Sequence, residues 1–242
     1  MGQSSQGGQT SLVLNEQLLL SIAEQLKLPL LQIARLSELA QQTKTPHSLG
    51  EIQTTANMAI RLLDNYLFGA RLALEDDYQL ALEPVSVSSV LYDAGQQLDA
   101  VAKLYGVDLQ LQLGGKFRPV MANRQGLQSA LVSLGYSLIE ALPALGPERL
   151  ELKLAAHRCR YGLVAGIYSD VEQLTAEALR QGRKLHGHSR QPLATLTHGS
   201  GAGVFVADTI LQAMDAELKP TRHHRLYGLG TILQPTRQVQ LV

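Results

Sequence analysis

From Leu12 to about Thr43 the apolar residues of this chain recur in steps of three and four, through Leu19, Ile22, Leu26, Pro29, Ile33, Leu36 and Ala40. That is the period of helices that pack side by side, so the segment is expected to form half of a coiled coil or helix bundle. Pro29 interrupts the seam. Proline has no amide hydrogen and its ring crowds the preceding turn, so a kink and a freed carbonyl are expected there. Thr45-Pro46-His47-Ser48 reads as a turn, with Ser48 as N-cap and Glu51 three residues on, as in a capping box. A second helix, over about residues 49–73, repeats the spacing through Ile52, Ala56, Ala59, Leu63, Tyr66 and Ala70. A hairpin of two such helices carries more apolar face than it can cover alone. Residues 12–77 are therefore expected to be a dimerisation hairpin, two copies of which close a parallel four-helix bundle.

Charge narrows the choice of partners. The chain has 21 basic and 21 acidic residues, so no broad positive footprint invites nucleic acid or an acidic membrane. A composition 45% hydrophobic and 17% charged suits one or two packed cores. The most apolar stretch, residues 17–36, is broken by Glu24, Gln25, Lys27, Gln32 and Arg35, short of the ~20 apolar residues of a membrane span. Residues 1–11 are mostly Gly, Gln, Ser and Thr and are expected to be a disordered tail. They lack the basic and apolar regions of a signal peptide, and Gln6 stands where a myristoylation motif wants Ser or Thr. With Cys159 as the single cysteine no internal disulfide forms, and a cytoplasmic location is expected. Cys159 itself, in H-R-C-R, reads as an ordinary strand residue.

Residues 74–87 form a connector with Glu75-Asp76-Asp77 and Pro84. Beyond it the pattern changes. A short strand is expected at Val85–Val87, helices at Ser88–Tyr105 and Arg124–Leu142, and strands at Val107–Leu113, Leu150–Ala156 and Tyr161–Tyr168. Helices at Glu172–Gln181 and Gly203–Ala216 flank a loop over 182–200, and two more strands fall within 217–235. Helices segregated from hairpin-linked strands make the fold class α+β, with an α/β sandwich over residues 85–242.

A series of short motifs adds to this order. Residues 24–30 read E-Q-L-K-L-P-L and residues 199–203 read G-S-G-A-G. Between them stand Tyr105-Gly106-Val107-Asp108-Leu109, Val120-Met121-Ala122-Asn123 with Leu127, and Leu131-Val132-Ser133-Leu134-Gly135-Tyr136-Ser137. Gly230-Thr231 and Pro235 close the series. In order and spacing it resembles the cytoplasmic core of a sensor histidine kinase over about residues 12–235. The resemblance implies a dimeric phosphoacceptor hairpin followed by a gyrase-type ATPase domain, with ATP and Mg²⁺ as cofactors and a response regulator as partner.

The same positions, read as chemistry, have lost that activity. The family's phosphoacceptor histidine aligns with Glu24, which has no imidazole nitrogen to attack a γ-phosphate. The asparagines that help hold Mg²⁺ on the triphosphate align with Ser133 and Ser137, whose single hydroxyls reach less far toward a hard cation. A nearby basic position aligns with Glu140, which would repel phosphate. The adenine-binding D-x-G-x-G aligns with Ser169-Asp170-Val171-Glu172-Gln173, both glycines replaced. Gly199, Gly201 and Gly203 remain, either as a tight loop-to-helix turn or as amides arranged for an anion. The expected protein is a catalytically inactive kinase-like dimer in signalling. Ser133, Ser137, Asp170, Gly199, Gly201 and Gly203 are its degenerate nucleotide positions, and no cofactor or metal is expected. The alternative is a kinase or phosphotransferase that still binds ATP and Mg²⁺. His186-Gly187-His188 and His223-His224 read as surface clusters without metal-ligand spacing, and the basic loop around Arg183, Lys184 and Arg190 either as solvated or as a basic surface for an acidic partner or a phosphate.

Overall fold

The computed structural model describes residues 22–23, 26–27, 29–41, 47–74, 79–145, 150–175, 178, 180 and 201–236. Glu24, Gly199, the N-terminal tail, the residue before Pro29 where a kink is expected, and nearly all of the basic loop lie outside them.

Residues 29–41 are helical (α1), and α2 runs His47–Leu74. Helix α2 already includes His47, so Ser48 is itself helical and does not precede the helix as its N-cap. Strand β1 (Glu83–Val85) ends two residues earlier than its apolar pattern suggests. The reason is Ser86, whose hydroxyl accepts from the Ser89 amide and caps α3 (Val87–Leu104), drawing Val87 into the helix. Strands β2 (Asp108–Gln112) and β3 (Val120–Ala122) precede α4 (Arg124–Ala141). Asn123 caps α4, accepting from the Gly126 amide at 2.8 Å and donating to the Ala81 carbonyl at 3.0 Å. After β4 (Glu151–Cys159) and β5 (Gly162–Ser169), residues 172–175, 178 and 180 are helical (α5). Helix α6 (Ala202–Gln212) and strands β6 (Leu218–His223) and β7 (Leu226–Leu233) complete the order.

The main sheet has the order β2-β4-β5-β7-β6, with β2 and β4 parallel and the other neighbours antiparallel; β1 pairs with β3 separately. A mixed sheet under a layer of helices is the α+β sandwich that the strand and helix patterns require. Alternate residues point into the core: Leu152, Leu154 and Ala156 on β4, Leu163, Ala165 and Ile167 on β5, Leu229 and Leu233 on β7. Above them lie Val90, Leu91 and Leu98 of α3, Leu127, Leu134 and Leu138 of α4, and Val206 and Ile210 of α6.

Helix α2 does not stand apart from this core. It packs on α6 and also touches α3 and α4. Met58, Leu62, Tyr66 and Leu72 belong to one cluster with the sandwich residues, and Gly69 faces Val206. Helix α2 therefore buries Thr55, Met58, Ala59, Leu62, Tyr66, Gly69 and Leu72, of which Ala59 and Tyr66 belong to the expected seam. Leu63 of the expected seam is 38% exposed, beside Ile60 at 57% and Leu67 at 48%. On α1, Leu30, Leu31 and Leu39 are also exposed, while Pro29 is buried and Ile22 and Leu26 pack against the core. No described helix is long and apolar enough to cross a membrane.

Candidate functional site

The seam between α4 and α6 gathers four of the six nucleotide positions singled out in the sequence. Ser133 and Ser137 are one turn apart on α4 and so share a face. Gly201 precedes α6 in the left-handed region, at φ 68°, which a residue with a β-carbon adopts only at a cost; no side chain caps the helix there. Its carbonyl accepts the first helical bond, from the Phe205 amide at 2.9 Å. Two residues on, Gly203 lies against α4. A β-carbon at this position would stand on the Ser133 carbonyl and 2.5 Å from the Ser137 hydroxyl oxygen. Only glycine lets the two helix backbones come this close.

The cost appears in the hydroxyls. Ser133 is 0% exposed and Ser137 3%, and neither hydroxyl oxygen has a hydrogen-bond partner. An unsatisfied buried hydroxyl costs about 1–3 kcal/mol. The two serines are thus sealed beneath the glycine turn and offer no donor or acceptor to solvent. Asp170 is placed differently. It is exposed just beyond β5, and its carboxylate accepts locally from the Ser169 hydroxyl at 3.3 Å, which in turn accepts from the Val171 amide at 3.2 Å. Glu24 and Gly199 lie outside the described residues.

Sequence reasoning missed a second arrangement. Glu140 is near enough to Tyr66 of α2, Tyr105 at the end of α3 and Tyr136 of α4 for its charge to act on all three. Burial pushes all three phenols well above their ordinary pKa and the negative charge of Glu140 adds to the rise, which the bond from Tyr136 partly offsets at Tyr105. They are therefore neutral across the physiological range. Tyr136 donates a hydrogen bond to Tyr105, whereas the fully buried Tyr66 hydroxyl has no partner. Tyrosines at 66, 105 and 136 have no common period, so nothing in the chain announces that they meet.

No family model matches the chain, and no curated protein does. Solved structures do resemble it, and they include histidine kinases. The histidine kinase AdeS of Acinetobacter baumannii is 13% identical with a TM-score of 0.49, over 88% of this chain and 98% of that one. A nucleotide-free catalytic domain of the histidine kinase ThkA is 12% identical with a TM-score of 0.46, over 65% of this chain and 100% of that one. A bacterial phosphotransferase is 12% identical with a TM-score of 0.49, over 91% of this chain and 96% of that one. Each is a likeness of fold between chains that share few residues.

Proposed function

We propose that this chain is a pseudokinase: a histidine-kinase-like protein that has given up phosphoryl transfer and acts as a dimeric signalling scaffold, cytoplasmic, with a response-regulator-type protein as its natural partner. Residues 12–77 supply the dimer interface and the surface for that partner, and residues 85–242 fold as the sandwich. The observation that carries this reading is the α4–α6 seam. Where the resemblance calls for side chains that hold Mg²⁺ on a triphosphate, two buried serine hydroxyls lie under the backbone of Gly203. Hard cations want several accessible oxygens, and a sealed hydroxyl supplies none. Val171 and Gln173 add side chains where an adenine would need close backbone approach, and Glu24 cannot carry a phosphoryl group as a histidine does. The residues present do not suit Mg²⁺-ATP.

Losing two or three charge-assisted contacts, at about 1.5–3 kcal/mol each, moves a micromolar affinity to millimolar or weaker. At about 1 mM ATP the mass-action stabilisation is then under ~0.5 kcal/mol, or a melting shift of at most about 2 °C. Thermal melts with ATP, with and without Mg²⁺, check this. In parallel, incubation with labelled ATP and Mg²⁺ should leave no acid-labile phosphate, and Glu24→His alone should not restore any. A Mg²⁺-dependent shift well beyond this bound would make the protein a nucleotide-binding sensor. Phosphate stable only in base would make it a kinase with a displaced acceptor.

A further inference from the structure

We propose that the cleft at the tip of the β4–β5 hairpin binds a small organic phosphate: a phosphate monoester on a flat apolar body. The cleft measures about 530 Å³, a size suited to a small molecule. Three segments of chain wall it. They are the β2–β3 loop through Phe117 and Arg118, the hairpin tip over residues 158–163, and Gln234-Pro235 after β7. The cleft lies at the Gly162 end of β5, whereas Asp170 follows the other end. Eight steps of extended chain put about 26 Å between the two. None of the degenerate nucleotide positions lines it. Hydrogen bonds hold the walls together. Arg158 Nη2 donates to the Lys116 carbonyl at 2.9 Å, which ties β4 to the β2–β3 loop. The Thr236 amide donates to the Pro119 carbonyl at 2.8 Å, and Gln234 Nε2 to the Tyr161 carbonyl at 3.1 Å. Gly115, at φ 116°, turns the loop so that the Phe117 ring folds back over it. Phe117 then packs against the core, and with buried Leu163 it gives the cleft an apolar floor. A cleft formed in advance costs its ligand little ordering.

Charge selects the ligand. Arg118, Arg158 and Arg160 line the cleft, and no carboxylate does. Among the described residues Arg118 and Arg160 have no ion-pair partner. Arg158 gives one donor to the Lys116 carbonyl and keeps the rest of its fork. Three guanidinium groups around one cleft repel one another. A group with nearly two negative charges relieves that repulsion better than a single carboxylate does. A phosphate monoester carries about −1.5 to −2 at pH 7, and its three terminal oxygens suit the planar fork of arginine. The second half of the ligand follows from the other lining residues. The cleft is far larger than a phosphate ion, and Phe117, Tyr161, Leu163 and Pro235 offer apolar surface beside the cations. At the rim the Arg160 guanidinium is 6.0 Å from the centre of the Tyr161 ring, so aromatic surface and charge are presented together.

The test is a calorimetric titration of the full chain with phenyl phosphate in EDTA. EDTA removes Mg²⁺, so a kinase-type nucleotide site makes no contribution, and failure here leaves the proposed function untouched. One saturating step per chain is expected, with Kd below about 1 mM. Arg118→Gln and Arg160→Gln should each weaken binding by about tenfold or more, the loss of one charge-assisted contact, and Arg118→Lys by less. Both arginines are exposed, and thermal melts establish that each variant is folded. Inorganic phosphate, which lacks the apolar body, and benzoate, which has the ring but a single charge, should each bind at least about tenfold more weakly. Cys159 gives an independent readout, since it lines the cleft and is the single cysteine of the chain. Saturating phenyl phosphate should slow its alkylation by iodoacetamide several-fold. No saturable binding up to about 5 mM, affinity unchanged by both glutamine variants, inorganic phosphate or benzoate binding as tightly as phenyl phosphate, or an unprotected Cys159 would overturn the proposal.

Discussion

Tyr66→Ala should lower the melting temperature of the whole chain by about 6–20 °C. A buried aromatic cut back to alanine costs about 3–5 kcal/mol, and for a chain of this size each kcal/mol corresponds to roughly 2–4 °C. Tyr66 is 0% exposed, the most deeply buried residue of α2, and shares one apolar cluster with α3, α4 and α6. Because helix and sandwich share that cluster, the expected outcome is one cooperative transition, moved down as a unit. Leu67→Ala, one residue on but 48% exposed, should change the midpoint little, which separates lost packing from lost helix propensity. Tyr66→Phe should be neutral or slightly stabilising, since it removes a buried hydroxyl that has no partner. Differential scanning calorimetry reads all three. If Tyr66→Ala instead split the melt in two, with the larger transition unmoved, the hairpin and the sandwich would be independent folding units.

The fate of Tyr66 shows what the sequence could and could not convey. The order of helices and strands was legible because period and turn residues are local signals. Helices α3 and α4 lie within a residue or two of their apolar patterns, but β1 was displaced by a serine cap, β4 runs on to Cys159, and the three-residue strand β3 was not expected at all. The buried side of α2 was not legible. Its apolar residues form two stripes at helical spacing, one through Met58, Leu62 and Tyr66, the other through Ile60, Leu63 and Leu67. Periodicity marks a helix as amphipathic but cannot assign one stripe to its own sandwich and the other to a second partner. The serines and glycines of the α4–α6 seam stood out only against the pattern of a family. Their sealing beneath Gly203 is a matter of backbone distance, which composition does not encode.

The outer stripe of α2 leads to the other large effect: Leu63→Asp should turn a dimer into a monomer while leaving the fold intact. Ile60, Leu63 and Leu67 follow one another at helical spacing and are 57%, 38% and 48% exposed, with Leu30 and Leu31 of α1 also exposed. A monomer that keeps such a run in water forgoes the burial that the same run offers to a second copy. In the proposed dimer Leu63 lies within that interface, where a carboxylate without a partner costs several kcal/mol. Each 1.4 kcal/mol is tenfold in affinity, so dissociation should rise by at least about a hundredfold. Light scattering at micromolar concentration should then report a mass near 26.3 kDa for the variant and about twice that for the unaltered chain. Its melting temperature as a monomer should fall little, because Leu63 is outside the chain's own core. Ile22→Asp makes the contrast. Ile22 packs against that core, so a charge there should unfold the chain instead of merely separating two folded copies. A wild-type mass near that of one chain would remove the dimer from the proposed function, and equal masses for wild type and Leu63→Asp at twice that value would place the interface on another face.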